Sequence, residues 1–318
     1  MLRLQKLKLP SFNLQLMVRK SRMLPKAAGL FEKLPRTLRR HRLMKAWMRL
    51  TGEDPLQLVR IRDDALGYAD LSDGFLRLIV IDGEFEKDFF RVADALLQQG
   101  GAFLDVGANH GLLSFGLGRK LDGRVRFHMF EPNPRLLESI RKSLELYPSM
   151  VTEVNPVAVC EADSTVLFHV QPDQTGVSHI VKSGGIPIRS IKLDTYLKDK
   201  CLDHVELLKL DIEGYELAAL RGAEHALRNH CIKAVYFEYV EKFVRVAPPS
   251  KIVEFLDFLS YEVCFCRQCD IAGQRLAPAF TIKDGLPGHG LPLLPIRGRK
   301  LPAETDLLAL PRENLTRI

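Results

Sequence analysis

From about residue 100 the chain alternates short apolar runs with longer amphipathic stretches. A period that switches between two residues and 3.6 predicts βαβ units around a mostly parallel sheet. Residues 102–106 form an apolar run ending in a Gly/Asn turn, which predicts a buried strand, and 111–121 predict the helix after it. A second strand over 125–130 stops at Glu131-Pro132-Asn133-Pro134, where Pro134 is placed to open a helix reaching about residue 147. Further strands are predicted over 151–159, 166–170, 205–210, 234–239 and 261–266, with a short last one over 307–310. Helices are predicted over 215–228 and 250–259, the latter with Ser250 as N-cap. Upstream, 76–81 reads as a small β element before a helix near 87–98, and the Gly- and Pro-rich stretch 283–300 reads as a loop. Together these elements predict a doubly wound α/β fold.

Composition adds a boundary. The 318 residues are 46% hydrophobic and 27% charged, which excludes disordered and collagen-like classes. The net charge of +7 hides a division: residues 1–50 hold 14 Lys and Arg against one acid, Glu32, whereas the rest hold 32 basic and 38 acidic residues. A mildly acidic body argues against nucleic acid as a partner, because phosphate-neutralising cations would have to line it. Residues 1–55 read as a basic arm, flexible or partly helical, in which Leu and Phe alternate with Lys and Arg. That pattern suits a membrane surface or a docking partner, and its acid-poor start also describes a transit peptide. Lys6, Lys8 and Pro10 interrupt the apolar core a secretion signal would need, and no run approaches the roughly 20 apolar residues of a membrane span. Six scattered cysteines read as reduced thiols in a cytoplasmic setting. Cys264-Phe-Cys266-Arg-Gln-Cys269 lacks the second ligand pair of a structural zinc site.

The chemistry concentrates at strand ends. Gly107-Ala-Asn109-His-Gly111 joins a predicted strand to a predicted helix, where glycine permits a tight turn and close approach to a ligand. Glu131 follows 20 residues after Gly111, at the end of the next strand, placed to accept hydrogen bonds from ribose hydroxyls. Asp105, two residues before the first glycine, suits a pyrophosphate poorly. It suits the loop and the amino end of a methionine moiety, so S-adenosylmethionine fits better than NAD.

At this point the order of motifs becomes specific. Phe103-Leu-Asp-Val-Gly-Ala-Asn-His-Gly, Phe130-Glu-Pro-Asn-Pro, Leu193-Asp-Thr-Tyr-Leu and Leu208-Lys-Leu-Asp-Ile-Glu-Gly-Tyr-Glu resemble the successive motifs of the FkbM-family methyltransferases. Leu220-Arg-Gly-Ala and Phe237-Glu238 continue the resemblance, and Gly83-Glu-Phe-Glu86 is similar to a segment the family carries upstream. The resemblance spans residues 56–312, leaving the arm before it and a tail over 313–318. It implies a class I methyltransferase sheet, seven-stranded with one antiparallel edge, and O-methylation of a sugar or natural-product hydroxyl. It implies that Asp105, Gly107, Asn109 and Gly111 make the methionine and loop contacts, that Glu131 binds ribose, and that Asn155 or its neighbours through Ala158 lie near adenine.

Transfer to oxygen needs a collinear pair and a group that takes the hydroxyl proton. In an open α/β sheet such groups stand at the carboxyl ends of strands. Lys209, Asp211 and Glu213 alternate at one such end, with Asp211 the first choice for base or substrate anchor; a structural reading has Asp211 and Glu213 capping the next helix and pairing with Lys209. Glu216 fits a helix start. Glu238 ends the neighbouring strand, so Asp211 and Glu238 are also candidates to share an Mg²⁺ ion, by analogy with unrelated O-methyltransferases of this fold. His110 has the right ordinary pKa for a base, and His179, in the loop over 175–180, is a candidate to face substrate that the sequence alone does not fix. The specificity loops are expected over 171–187 and 268–300. The alternative functions are methylation of nitrogen or another acceptor, a nicotinamide oxidoreductase, and a non-catalytic nucleoside-binding module docked by its arm.

Overall fold

The structure, a computed structural model, describes residues 40–317 apart from 83–84, 122, 172–173, 243 and 267–277. Most of the basic arm, and Cys269, therefore lie outside the described residues.

Helix α1 (Arg40–Thr51) leads into a hairpin of β1 (Leu56–Arg62) and β2 (Ala65–Asp70), followed by α2 (Gly74–Asp82) and α3 (Lys87–Leu97). Next come β3 (Gly101–Val106), α4 (Leu112–Gly118), β4 (Val125–Phe130), α5 (Leu137–Leu144) and β5 (Val151–Asn155). A small sheet is inserted as β6 (Ala158–Val159), β7 (Ser164–His169), β8 (His179–Val181) and β9 (Ile186–Ile191). The chain returns through α6 (Leu193–Asp199), β10 (Leu207–Leu210), α7 (Glu216–Arg221), α8 (Glu224–Arg228), β11 (Val235–Val240), α9 (Ser250–Phe258) and β12 (Tyr261–Phe265). It ends with β13 (Phe280–Ile282), β14 (Pro292–Pro295), β15 (Glu304–Pro311) and β16 (Leu315–Arg317).

The main sheet has ten strands in the order β16-β13-β14-β12-β15-β11-β10-β3-β4-β5. Strands β5, β4, β3, β10 and β11 are parallel neighbours. β15 runs antiparallel between β11 and β12. The expected count of seven is thus corrected to ten, and the antiparallel strand is interior rather than an edge. The extra strands β14, β13 and β16 come from stretches read as loop and tail.

Why β3 reads as continuous apolar sequence is plain from its neighbours. Phe103 packs into one hydrophobic cluster with Phe89, Phe115 and Phe127, while Leu104 and Val106 pack into a second with Phe130, Leu208 and Phe237. A parallel strand covered on both faces needs apolar side chains on both.

Three further expectations are corrected. Residues 76–81 are helical: Leu76 and Ile81 are buried and Val80 packs beside them, which is helical spacing, and α1 covers this face with buried Met44 and Met48. The predicted helix over 215–228 divides into α7 and α8 around Gly222, where an added Cβ would lie 2.1 Å from the Cys160 carbonyl oxygen. The predicted strand over 151–159 also divides, because β6 leaves the main sheet to pair with β9. Ser250 opens α9 without a side-chain cap bond. Among the described residues, no helix is long and apolar enough to cross a membrane.

Candidate active site

The loop after β3 turns on Gly107, at φ +77°. A Cβ there would sit 1.9 Å from the Asp211 carbonyl oxygen, so the end of β10 and the loop touch backbone to backbone. The Gly107 and Ala108 N–H groups both donate to the Phe130 carbonyl, at 3.0 Å each. Asn109 is left-handed, φ +53°, and its N–H donates to Glu131 Oε2 at 2.7 Å. The Asn133 N–H donates to Glu131 Oε1 at 2.8 Å. Glu131 therefore fixes the loop, and burial pushes its carboxyl up to about 7 against the pull of those two N–H groups.

Beneath the loop Asp105 is fully buried and accepts the Ser114 hydroxyl at 2.7 Å. Lys209 Nζ lies 3.5 Å from Asp105 Oδ1 and 3.3 Å from Asp211 Oδ2, and donates to the Gly107 carbonyl at 2.8 Å. Burial works against the Lys209 charge, but Asp211 and then Asp105 outweigh it and hold the ammonium above its ordinary pKa. Lys209 is thereby a strut between β3, the loop and β10. Asp211 is the member of the group that opens to solvent, with 45% of its side chain exposed.

Two pockets meet at this crest, and Gly107, Asn109 and Asp211 line both. The first takes in about 630 Å³ of space, open at its mouth. It runs from Glu131 and Pro132 past Val157, Ala158 and Val159 to Phe168 and the 175–180 segment. Ile212, Glu213 and Tyr215 close its other side. The second, about 710 Å³, lies toward α2 and α3 and is lined by Phe85, Glu86, His110, Lys209, Tyr236, Glu238 and Asp306 among others.

Of the cofactor residues read from sequence, Gly107, Asn109, Glu131 and Ala158 line the first pocket, as do the catalytic candidates Asp211 and Glu213. Asn155 does not line either: its side chain donates to the Met129 carbonyl at 3.2 Å and to the Tyr196 hydroxyl at 3.1 Å, tying β5 to β4 and α6. Asp105 lies under the loop rather than in a pocket, and Gly111, at φ +72°, closes the turn through its N–H to the Ala108 carbonyl at 2.7 Å. Glu213 leaves the strand in a left-handed turn, φ +58°, and its Oε2 has no hydrogen-bond partner. Burial and the nearby Asp211 raise its carboxyl to about 8. Glu216 accepts the Ile212 and Gly214 N–H groups at 3.0 and 3.2 Å, a cap on that turn. His179 lines the first pocket with its Nδ1 on the Val177 carbonyl at 2.8 Å. Cys264 and Cys266 are buried thiols, the first pushed up to about 12 by burial.

Sequence reasoning did not single out Tyr236, Asp306, Asp73 or Thr175. Thr175 donates its N–H and hydroxyl to Asp73 Oδ2 at 2.6 and 2.8 Å, which fastens the small sheet's segment over the first pocket to the start of α2. Asp306 stands opposite Glu238 in the β11–β15 register, a position no local pattern reveals.

Glu238 is raised to about 9, by burial first and then by Asp211, Glu213 and Asp306. Because this folded-state value exceeds the ordinary 4.5, the folded chain binds more protons than the unfolded chain in between. The stability so gained is complete below about 4.5 and is lost as pH rises toward 9. Glu238→Gln is expected to flatten the fall of the melting temperature between these pH values, as read by scanning calorimetry. An unchanged pH profile would show that Glu238 is not held protonated.

A family model of the FkbM methyltransferase domain matches residues 105–264, half of the chain, and covers the loop, both central strand ends and β12. The chain belongs to the FkbM methyltransferase family. The hexuronic acid methyltransferase AglP of Haloferax volcanii is 24% identical over 164 residues, which cover 51% of this chain and 64% of that protein. Among solved structures, precorrin-6y C5,15-methyltransferase from Geobacter metallireducens is 16% identical, covering 70% of this chain and 87% of its own, with a TM-score of 0.34. TrmK of M. capricolum in complex with S-adenosyl-homocysteine is 11% identical, covering 71% and 69%, with a TM-score of 0.35. At scores this low the likeness is loose, and the strand order itself carries the fold. In this FkbM-family chain the matched segment begins at Asp105, the buried acid under the cofactor-loop candidate.

Proposed function

We propose that this chain transfers a methyl group from S-adenosylmethionine to a hydroxyl of a sugar, glycan or secondary metabolite. The observation that carries the reading is the crest of Gly107, Asn109 and Asp211 between two pockets, one suited to an adenosine and the other to an acceptor. The residues present fit the cofactor. Glu131 keeps lone pairs for ribose hydroxyls beyond the two N–H groups it holds, Val157, Ala158 and Val159 give an apolar wall for a base, and the lack of a Cβ at Gly107 lets the loop close against the Asp211 backbone between the pockets. S-adenosylmethionine supplies the methyl group on an electrophilic sulfonium. The chain's own task is to hold the acceptor hydroxyl in line and take its proton, and Asp211, exposed at the crest and steadied by Lys209, is assigned that role. The new O–C bond forms as the S–C bond breaks, the bonding pair stays on sulfur, and the proton goes to the Asp211 carboxylate.

A sugar acceptor is supported by the relative named for a hexuronic acid, and by carboxylates that can accept sugar hydroxyls in the second pocket. The reading needs no divalent cation, since the Lys209 ammonium already stands 3.3 Å from Asp211 and repels one. Among the described residues no group of three or more His, Cys, Asp or Glu is arranged to hold a metal. Transfer is expected to persist after chelation, and activity that is lost with chelator and restored by Mg²⁺ would reinstate a site at Asp211 and Glu238. Contact of residues 1–50 with a membrane surface is inferred on separate ground: Leu43 and Leu50 of α1 are exposed beside Arg42 and Arg49.

The test incubates the protein and S-adenosylmethionine with extracts of cells lacking the gene, followed by mass spectrometry. A sugar-containing compound heavier by one methylene supports the reading. A methylated amine or nucleic acid would replace the acceptor class, and no methylated product of any kind would overturn the activity.

A further inference from the structure

The first pocket has one wall built differently from the rest. The ends of β3, β4 and β10 bring Val106, Phe130 and Asp211 to it from the main sheet, whereas the 175–180 segment reaches it from the inserted sheet. In that sheet β8 is the outermost strand, paired on one side only, with β7. The short 3₁₀ turn before it (Thr175–Val177) is held largely by its own chain. The Val177 N–H donates to the Gln174 carbonyl at 3.2 Å, the Ser178 N–H to the Thr175 carbonyl at 3.1 Å, and the Gln171 N–H to the Ser178 hydroxyl at 3.1 Å.

Among the described residues, the hydrogen bonds that tie this turn to the main body are those of Thr175. Asp73, just before α2, accepts both its N–H and its hydroxyl on the one oxygen Oδ2, at 2.6 and 2.8 Å. Asp73 and Thr175 are both buried, so water does not compete for these bonds, and bonds to a carboxylate are the stronger kind. The same hydroxyl stands 3.4 Å from Asn109 Oδ1, and a Cβ on Gly176 would lie 3.7 Å from Asn109 Nδ2. The clasp thus seats the turn on the glycine loop, whose Asn109 N–H is in turn held by Glu131. Asp73 itself lines neither pocket, and it reaches the first one only through Thr175.

We propose that Asp73 is a positioning residue for the cofactor: its grip on Thr175 closes the 175–180 segment over the first pocket as a strap, and release of that grip sets the pace at which the cofactor leaves. This rests on the cofactor reading above. The strand ends on the other sides are parts of a packed sheet and do not give way. A strap held by one strand edge and one clasp opens when the clasp breaks, which is how a lid comes to govern ligand release.

The experiment loads the full chain with radiolabelled S-adenosylhomocysteine and chases it with excess unlabelled ligand, reading the dissociation rate. It compares the wild type with Asp73→Asn, Thr175→Val and Thr175→Ser. Thr175→Val keeps the shape and the N–H but loses the hydroxyl, and Asp73→Asn keeps the shape but weakens the acceptor. Each is expected to speed dissociation about tenfold, the scale of one hydrogen bond to a charged group. Thr175→Ser keeps both donors and should stay within about twofold of the wild type. A second measurement needs no variant: bound S-adenosylhomocysteine should slow amide hydrogen exchange in the 174–181 segment of the wild type. Dissociation unchanged in both Asp73→Asn and Thr175→Val would overturn the proposal whatever their melting temperatures, since a bond that serves the fold alone moves the melting temperature and not the rate. Exchange in the segment that ignores the ligand would overturn it too. Failure of the ligand to bind the wild type would instead overturn the cofactor reading, and this proposal with it.

Discussion

Asp211→Asn is expected to lower methyl transfer by about 10²-fold or more while S-adenosylmethionine binds within about threefold of the wild type. The reason is positional. The Asp211 N–H donates to the Val106 carbonyl at 3.1 Å, and its carbonyl stands against Gly107, so the backbone is held whatever the side chain. Its carboxylate, nearly half exposed and 3.3 Å from Lys209, is the group that can take a proton at the crest. An amide of the same shape keeps the geometry and cannot take that proton. Single-turnover transfer to the methylated compound found in extracts, beside calorimetric binding, separates the two effects. Near-normal turnover would remove Asp211 as the base.

The second large effect is steric. Gly107→Ala is expected to abolish detectable cofactor binding and to lower thermal stability, because the new Cβ falls 1.9 Å from the Asp211 carbonyl oxygen and the residue is at φ +77°. Alanine at a positive φ costs about 1 kcal/mol on its own, before any displacement of backbone. Here the loop or the β10 end must move, and both pockets share that boundary. Gly123→Ala is the control: it also has positive φ, at +68°, but nothing lies within 4 Å of the added Cβ. It should show the strain without the loss of binding. Equal behaviour of the two variants would mean that the close approach at Gly107 does not shape the site.

What the sequence made legible was local or doubly constrained. The β3 strand and its glycine turn announced themselves because a strand buried on two faces is apolar on both, Asp105 apart, and because the backbone at Gly107 admits no Cβ. Glu131 was legible from its distance along the chain, and the structure shows it gripping the very loop it was paired with. Asn155 ends β5 as read, but which neighbours its amide finds was not legible, since period-two alternation says nothing about the partner of a polar side chain. The α2 helix was misread because so short a run, five apolar residues and Arg77, suits either element, and only the cover given by α1 decides between them. β14 was hidden by its own composition: prolines begin and end it, and its pairing with β12 and β13 is supplied by segments far along the chain. The second pocket could not be read at all as a unit. Glu86, Tyr236 and Asp306 come from three separate elements and meet only in the folded sheet.

The proposed activity stands on binding of S-adenosylmethionine at the crest between the pockets. The most direct test is calorimetric titration of S-adenosylmethionine into the wild-type chain and into Glu131→Ala, with NADH as the competing cofactor. One saturable site for S-adenosylmethionine is expected in the wild type, with binding weakened by about tenfold or more in Glu131→Ala and no binding of NADH. No heat of binding with S-adenosylmethionine, or the same affinity in both proteins, would contradict it.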